Sequence, residues 1–215
     1  MNDSATAPIH IDVWSDVVCP WCFIGRRRLQ KAIANHADGR EVIVRHRAFQ
    51  LQPDARDVVR TDEMLAQKYK VDKDQVAAMQ ANVCSIADGE GLCYDLSESL
   101  SGNTADAHRL ILWAEEIGKG DELLEVIYSA YFEKKQSIFT NEDLIALASS
   151  IGINGDEAKA LLQSDRFADQ VNEDQDLARQ LGANGVPFYV IDMKFGISGA
   201  QPQEHFDSIF TTLDQ

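Results

Sequence analysis

The sequence predicts an α/β fold whose strands lie near the two ends of the chain, with an all-helical domain inserted between them. Three observations carry this expectation. Segments with strand periodicity occur before Pro53 and after Pro187, and no proline stands between those two. The intervening stretch repeats apolar residues at helical spacing. A Cys-Pro-Trp-Cys motif, Cys19 to Cys22, follows the first strand and opens the first helix.

Ile9 to Trp14 alternates apolar and polar residues, the period of a half-buried strand. In the stretch that runs on to His36, Cys22, Gly25, Leu29, Ala32 and Ile33 fall on one helical face. Pro20 suits the first turn of that helix, where its missing N–H costs nothing. Asp38-Gly39 breaks the chain, and Glu41 to Phe49 reads as a second strand with Val42, Val44 and His46 on one face. From about Thr61 to Ser164 the pattern is helix after helix. Asn103 to Asp106 reads as an N-cap with an acidic N3 partner, leading into an apolar stripe that stops at Gly118. Leu123 to Tyr131 forms the next stripe, Thr140 caps a helix closed by Gly152, and Asn154 with Glu157 opens a further one. Arg166 to Leu181 is a helix stopping at Gly182. Phe188 to Ile191 is a strand, Asp192 to Lys194 a hairpin turn, Phe195 to Ser198 a strand, and Gln203 to Leu213 an amphipathic helix. A strand–helix–strand half and a strand–strand–helix half sharing one sheet is the thioredoxin arrangement. The expected organisation is a thioredoxin-like fold built from residues 1–60 and 165–215, with residues 61–164 as the helical insertion.

The 215 residues carry 20 basic and 35 acidic side chains, a formal charge of −15. That excess argues against a nucleic-acid partner, which requires a basic footprint. The longest uncharged stretch, Gln75 to Ala87, has 13 residues, short of the roughly 20 that a membrane-spanning helix needs. Met1 to Pro8 has neither the basic nor the apolar region of a secretory signal. Four cysteines are too sparse for a disulfide-stapled scaffold, so a close pair points to redox or metal chemistry in a reducing compartment. The expected location is cytoplasmic.

Thiol–disulfide exchange needs an attacking thiolate, and a helix N-terminus favours one through its unpaired N–H groups and positive dipole end. Cysteines in such motifs can fall from about 8.5 to between about 3.5 and 7.5 in pKa. Cys19, nearer the open end, is the expected nucleophile, and Cys22, one turn on, resolves the mixed disulfide. Pro20 and Trp21 between them tune the thiolate. The competing readings are a structural zinc site and two inert thiols. Zinc usually takes four ligands, and the remaining cysteines, Cys84 and Cys93, form no second Cys-x-x-Cys. No metal is expected. Gly185-Val186-Pro187 precedes a late strand. In a thioredoxin-type sheet a cis proline sits opposite the Cys-x-x-Cys helix, and its backbone neighbour offers edge hydrogen bonds to an extended peptide.

Val13 to Gly25 (Val-Trp-Ser-Asp-Val-Val-Cys-Pro-Trp-Cys-Phe-Ile-Gly) resembles the signature of FrnE-like members of the DsbA thioredoxin superfamily. So do Asn103-Thr104, Ala107 to Leu110, Gly185 to Phe188 and Ile197 to Gln201, in the expected order. The resemblance implies a thioredoxin fold with a helical insertion and a cytoplasmic dithiol–disulfide oxidoreductase or isomerase, with Pro187 cis and Val186 beside the active pair. It implies no cofactor beyond the redox-active disulfide, and protein or small-molecule thiols and disulfides as partners. The same superfamily holds kappa-class glutathione transferases and 2-hydroxychromene-2-carboxylate isomerases, in which a serine usually replaces the first cysteine. Cys19 together with Cys22 argues against that branch. Asn103 and Ser198 to Gln201 nevertheless fall where it binds glutathione or substrate, which keeps glutathione open as a co-substrate.

Cys84 and Cys93 flank a glycine-bearing turn. They read either as a second redox pair, should their Cα atoms approach within about 4.4–6.8 Å, or as two separate small core residues. Arg26-Arg27-Arg28 and Lys31 read as a solvated basic face. Asp16, three residues before Cys19, is a tuning candidate. His108 reads as a partly buried histidine or one facing the cleft. Trp14, Trp21 and Phe23 are candidates for an apolar rim, with Trp14 equally a core residue. A chaperone-like module that binds exposed hydrophobic segments at the same groove is the non-enzyme alternative.

Overall fold

In the computed structural model of the chain, residues 7–36 and 40–214 are described. In chain order they form β1 (Ile9–Ser15), α1 (Pro20–Asn35), β2 (Val42–Ala48), β3 (Val59–Arg60), α2 (Thr61–Tyr69), α3 (Lys73–Gly89), β4 (Leu100–Ser101) and α4 (Ala105–Glu116). There follow α5 (Gly120–Phe132), α6 (Asn141–Ser150), α7 (Gly155–Leu162), α8 (Ala168–Gln180), β5 (Phe188–Ile191), β6 (Phe195–Ser198) and α9 (Gln203–Leu213). The expected break at Asp38-Gly39 lies outside the described residues.

The chain divides into two units, Met1–Phe49 with Asp174–Gln215, and Gln50–Glu173. The first unit holds a four-stranded sheet of order β2-β1-β5-β6. β1 pairs parallel with β2, from Ile9↔Val42 to Ser15↔Ala48, and antiparallel with β5, from Ile11↔Ile191 to Trp14↔Phe188. Alternation sorts the side chains. Ile9, Ile11 and Val13 of β1, with Tyr189 and Ile191 of β5, pack on Leu29 and Ala32 of α1 and on Phe206, Ile209 and Phe210 of α9. Trp14, Phe188 and Val190 point the other way, against Phe49, Ala178 and Ala183. Both faces of β5 are covered, which is why Phe188 to Ile191 is an unbroken apolar run.

The insertion begins and ends elsewhere than the sequence boundaries of 61 and 164. Val59 and Arg60 pair with Ser101 and Leu100 in a two-stranded sheet of the second unit. Two-residue strands carry no periodicity, so this pairing leaves no sequence signal. At the other end the unit boundary falls inside α8. From Asp174 onward that helix is tied to the first unit. The Asp174 carboxylate accepts from Arg47 Nη1 at 2.8 Å and from the Ala48 amide at 3.1 Å, and its carbonyl accepts from Trp14 Nε1 at 2.7 Å.

Within the second unit the caps locate the helices. Thr140 Oγ1 accepts from the Asp143 amide, and Asn154 Oδ1 from Asp156 and Glu157. The N-cap of α4 is Thr104, without a side-chain cap bond; Asn103 Oδ1 instead accepts from the Ala105 amide. The expected acidic partner Asp106 pairs with Arg109 at 2.7 Å. Charge attraction one helical turn along outcompetes the reach back to the cap.

Gly25 sets how closely α1 approaches the sheet. A Cβ there would stand 2.3 Å from the Tyr189 hydroxyl and 3.1 Å from Pro187 Cγ. Tyr189 is fully buried and held edge-on by Phe206, so its ring has no room to retreat. Gly25→Ala is expected to destabilise the protein by about 2 kcal/mol through overpacking. Most of that loss is recovered in a Tyr189→Phe background, because the two substitutions share the contact; additive losses in urea unfolding would contradict it. Asp174→Ala is expected to cost about 3 kcal/mol in the same measurement, because it strands buried donors of Arg47 and Ala48. A loss below about 0.5 kcal/mol, typical of a surface site, would contradict that role.

Candidate active site

β1 ends at Ser15, and a tight turn follows in which the Cys19 amide donates to the Asp16 carbonyl at 3.0 Å. Cys19 is the N-cap of α1 with an extended backbone (φ −92, ψ 111), and Pro20 occupies the first helical position. The first turn of α1 contains no acidic side chain, so nothing within the helix offsets its positive end. Cys22 lies one turn further on, facing inward.

The second wall comes from the other end of the sequence. The Val186–Pro187 peptide is cis, and the Cys19 thiol donates to the Val186 carbonyl at 3.5 Å across 167 residues of sequence. The Pro187 carbonyl accepts from the Gly199 amide at 2.8 Å, which ties the turn after Ser198 to the proline. Arg28 Nη1 donates to the Ala200 carbonyl at 2.6 Å, fixing that turn to α1 from the other side. Cys19 is thus bonded to the Val186–Pro187 segment, and that segment is tied back to α1 through Gly199, Ala200 and Arg28.

The two sulfurs differ in setting. Burial pushes the Cys22 thiol well above its ordinary range. A hydrogen bond toward the Cys19 sulfur and that sulfur's negative charge push it further, a hydrogen bond from the Asp16 backbone opposes them, and the Asp16 charge adds to the rise. These influences together favour the protonated form of Cys22. Asp16 is fully buried, and its charge is felt by Cys22.

Pro20 and Trp21, between the two cysteines in sequence, are half-buried, as is Val186. Trp14 and Phe23 are buried in the core, Trp14 through its indole bond to Asp174 and its contact with Phe188. Of the three aromatics considered for a rim, only Trp21 offers surface. The basic run is not a uniformly solvated face. Arg26 is buried, Arg27 lies over the Phe23 ring at 4.7 Å, and Arg28 serves Ala200, while Lys31 is exposed. Their long stems cover apolar surface on a helix whose inner face is crowded.

Asn103 and His108 belong to the second unit. Both polar ends of the Asn103 amide are engaged, Nδ2 on the Pro53 carbonyl at 2.7 Å and Oδ1 on the Ala105 amide. His108 is a buried residue of α4. Ser198 is exposed at the end of β6, and its carbonyl accepts from Gln201. Cys84 is half-buried in α3 and Cys93 exposed, and both are free thiols, as are Cys19 and Cys22. Burial raises the Cys84 pKa. Among the described residues no group of three His, Cys, Asp or Glu is placed to hold a metal ion, and no helix is long and apolar enough to cross a membrane.

Two contributors escaped the sequence reading. Gly25 read only as one more position on the inner helix face, and Tyr189 only as one of a strand's aromatics. The signal available was a glycine one turn after Cys22 and a phenol two residues after Pro187.

Residues 10–211 match the family model described as a DSBA-like thioredoxin domain. A probable DsbA oxidoreductase from Streptomyces coelicolor superposes with a TM-score of 0.89 at 39% identity, over 95% of this chain and 89% of that one. The cytosolic disulfide reductase DsbM from Pseudomonas aeruginosa, solved with GSH, superposes with a TM-score of 0.65 at 18% identity, over 96% and 100% of the two chains. The Bacillus subtilis (strain 168) protein YwbO is 26% identical over 162 residues, 75% of each chain.

The raised Cys22 pKa has a consequence for stability. Folding keeps a proton on Cys22 that the unfolded chain releases near its ordinary 9.0. The contribution is complete below that pH and is lost as pH climbs from there through the folded value. The melting temperature of the reduced protein is expected to fall more steeply above pH 9 than that of the oxidised protein, whose Cys22 carries no proton. Equal slopes would contradict the assignment.

Proposed function

The chain belongs to the DSBA-like thioredoxin domain family, and from that premise we propose that Cys19 and Cys22 carry out dithiol–disulfide exchange on thiols and disulfides of proteins or small molecules. The observation that carries the reading is the placement of the Cys19 sulfur at 3.5 Å from the Val186 carbonyl. It supports the reading because a nucleophile at Cys19 lies beside the backbone that an extended substrate would use, and the burial of Cys22 favours its thiol form.

In the reducing direction the Cys19 thiolate attacks one sulfur of the substrate disulfide, and the other substrate sulfur leaves with the electron pair and takes a proton. Cys22 loses its proton and attacks the Cys19 sulfur, the Cys19–substrate bond breaks, and the substrate departs as its second thiol. The pair is left oxidised. The oxidising direction is the reverse, and the direction of net flow follows from the pair's potential relative to its partners. Val186 supplies backbone hydrogen bonds to an extended segment, Pro187 shapes the cradle, and Trp21 gives an apolar surface at its edge. Glutathione fits as the small-molecule partner that returns the pair to the dithiol. The family resemblance to DsbM, which binds GSH in its own structure, motivates testing it first. The activity needs no other cofactor, and the reading places it in the cytoplasm, where such a reductant is abundant.

Reduction of insulin with a dithiol as electron source tests this. Cys19→Ser is expected to fall to the uncatalysed rate. Cys22→Ser is expected to turn over poorly and to accumulate a mixed disulfide at Cys19 that mass spectrometry identifies. Full activity in Cys19→Ser would overturn the proposal.

A further inference from the structure

The Tyr189 hydroxyl is completely buried and has no hydrogen-bond partner among the described residues. Buried polar atoms left in this state are few in native proteins and call for an explanation. Its place is specific. It occupies the space that a side chain at Gly25 would fill, and Cys22, Gly25 and Arg28 recur at three-residue spacing along one face of α1. The phenol oxygen therefore abuts the same helix face from which the Cys22 sulfur projects, one turn away. Phe206 holds the ring edge-on, with centroids 5.1 Å apart, and β5 fixes its backbone through Val13 and Ile197. The phenol is thus held against the face of α1 that carries Cys22.

We propose that Tyr189 is a positioning residue for Cys22, its hydroxyl donating a hydrogen bond to the Cys22 sulfur when that sulfur becomes a thiolate during resolution of the mixed disulfide. The inference rests on the reading of Cys19 and Cys22 as the exchanging pair.

In the reduced protein the Cys22 thiol has Cys19 as its acceptor. Once Cys19 is bonded to substrate, Cys22 must ionise in a buried setting where Asp16 opposes negative charge. The groups acting on Cys22 are Cys19 and Asp16 from the turn before α1, while Tyr189 of β5 feels Cys22 and Cys19 and, in the opposite sense, Arg28 of α1. Burial, and then the charges of Cys22 and Cys19, push the phenol well above its ordinary range. Tyr189 keeps its proton throughout and donates without transferring it. The Cys22 proton goes to solvent, the thiolate attacks the Cys19 sulfur, the Cys19–substrate bond breaks, and the departing substrate sulfur takes the electron pair and then a proton.

The test measures ionisation apart from turnover. In a Cys19→Ser protein the rate of Cys22 alkylation by iodoacetamide is followed against pH by peptide mass spectrometry, which separates Cys22 from Cys84 and Cys93. Adding Tyr189→Phe is expected to lower the Cys22 thiolate fraction at a given pH by roughly tenfold, the scale of one hydrogen bond to a charged group. With both active cysteines present, Tyr189→Phe is expected to slow decay of a preformed Cys19–glutathione mixed disulfide by a similar factor. An alkylation profile unchanged within about twofold, in a protein whose near-ultraviolet circular dichroism matches the parent, overturns the proposal. A shifted profile with no exchange activity on any disulfide supports the Tyr189–Cys22 contact and refutes the exchange function itself.

Discussion

The unit that carries Cys19 and Cys22 depends on the buried carboxylate of Asp174. The insertion leaves the first unit after Phe49 and returns at Asp174. The Asp174 carboxylate accepts from the Ala48 amide, so the root where the chain departs is bonded to the root where it returns, 126 residues later. Arg47 extends the clamp to Asp12, which also takes Arg45 at 2.6 Å. Burial alone would raise the Asp12 pKa, but the hydrogen bonds from Arg45 and Arg47 outweigh it and hold the carboxyl low. Buried charges are costly unless paired and hydrogen-bonded, and here each carboxylate is met by an arginine. The clamp closes the large loop at its base. Loop-closure entropy grows only logarithmically with length, so one secure closure lets a helical domain interrupt the sheet without disturbing its register.

From that clamp the geometry of the site follows by short steps. Trp14 is fixed by the Asp174 carbonyl and packs on Phe188. Those two residues are register partners across β1 and β5. β1 lies between β2 and β5 in the sheet, and the end of β1 that launches α1 is adjacent to the start of β5. The chain immediately before β5 is Val186-Pro187. A thiol at the helix N-terminus and a carbonyl at the strand entrance therefore meet because both extend from one paired end of the sheet.

The sequence was legible wherever one local pattern sufficed. Period-two alternation marked Ile9 to Trp14, the unbroken apolar run marked Phe188 to Ile191, and Thr140 and Asn154 announced the helices they cap. The order of these elements was enough to place Cys19 to Cys22 at a strand–helix junction. What stayed hidden was decided by tertiary partners. Asp174 sits in a helix segment rich in Asp, Glu and Gln, and nothing nearby distinguishes the acid that will be buried from those that stay in water. Trp14 read as rim or core until its indole found a carbonyl 160 residues away. Arg26 to Arg28 read as solvated because charge predicts exposure on average, while their stems line a crowded helix. The two-residue strands around Arg60 and Leu100 are too short for any period to show.

The sulfurs of Cys19 and Cys22 are chemically identical and three positions apart, so the difference in their settings comes entirely from placement. Cys19 stands at the N-cap, outside the helical hydrogen-bond ladder, with a carbonyl partner on the facing loop. Cys22 stands inside the first turn, where burial, Cys19 and Asp16 all resist a negative charge. In that setting the protonated form of Cys22 is favoured while Cys19 stands beside it. In a dithiol exchange that burial would slow the step in which Cys22 attacks, unless something stabilises its thiolate when it forms. Gly25, by leaving space for a phenol oxygen against the helix, marks where that stabilisation enters.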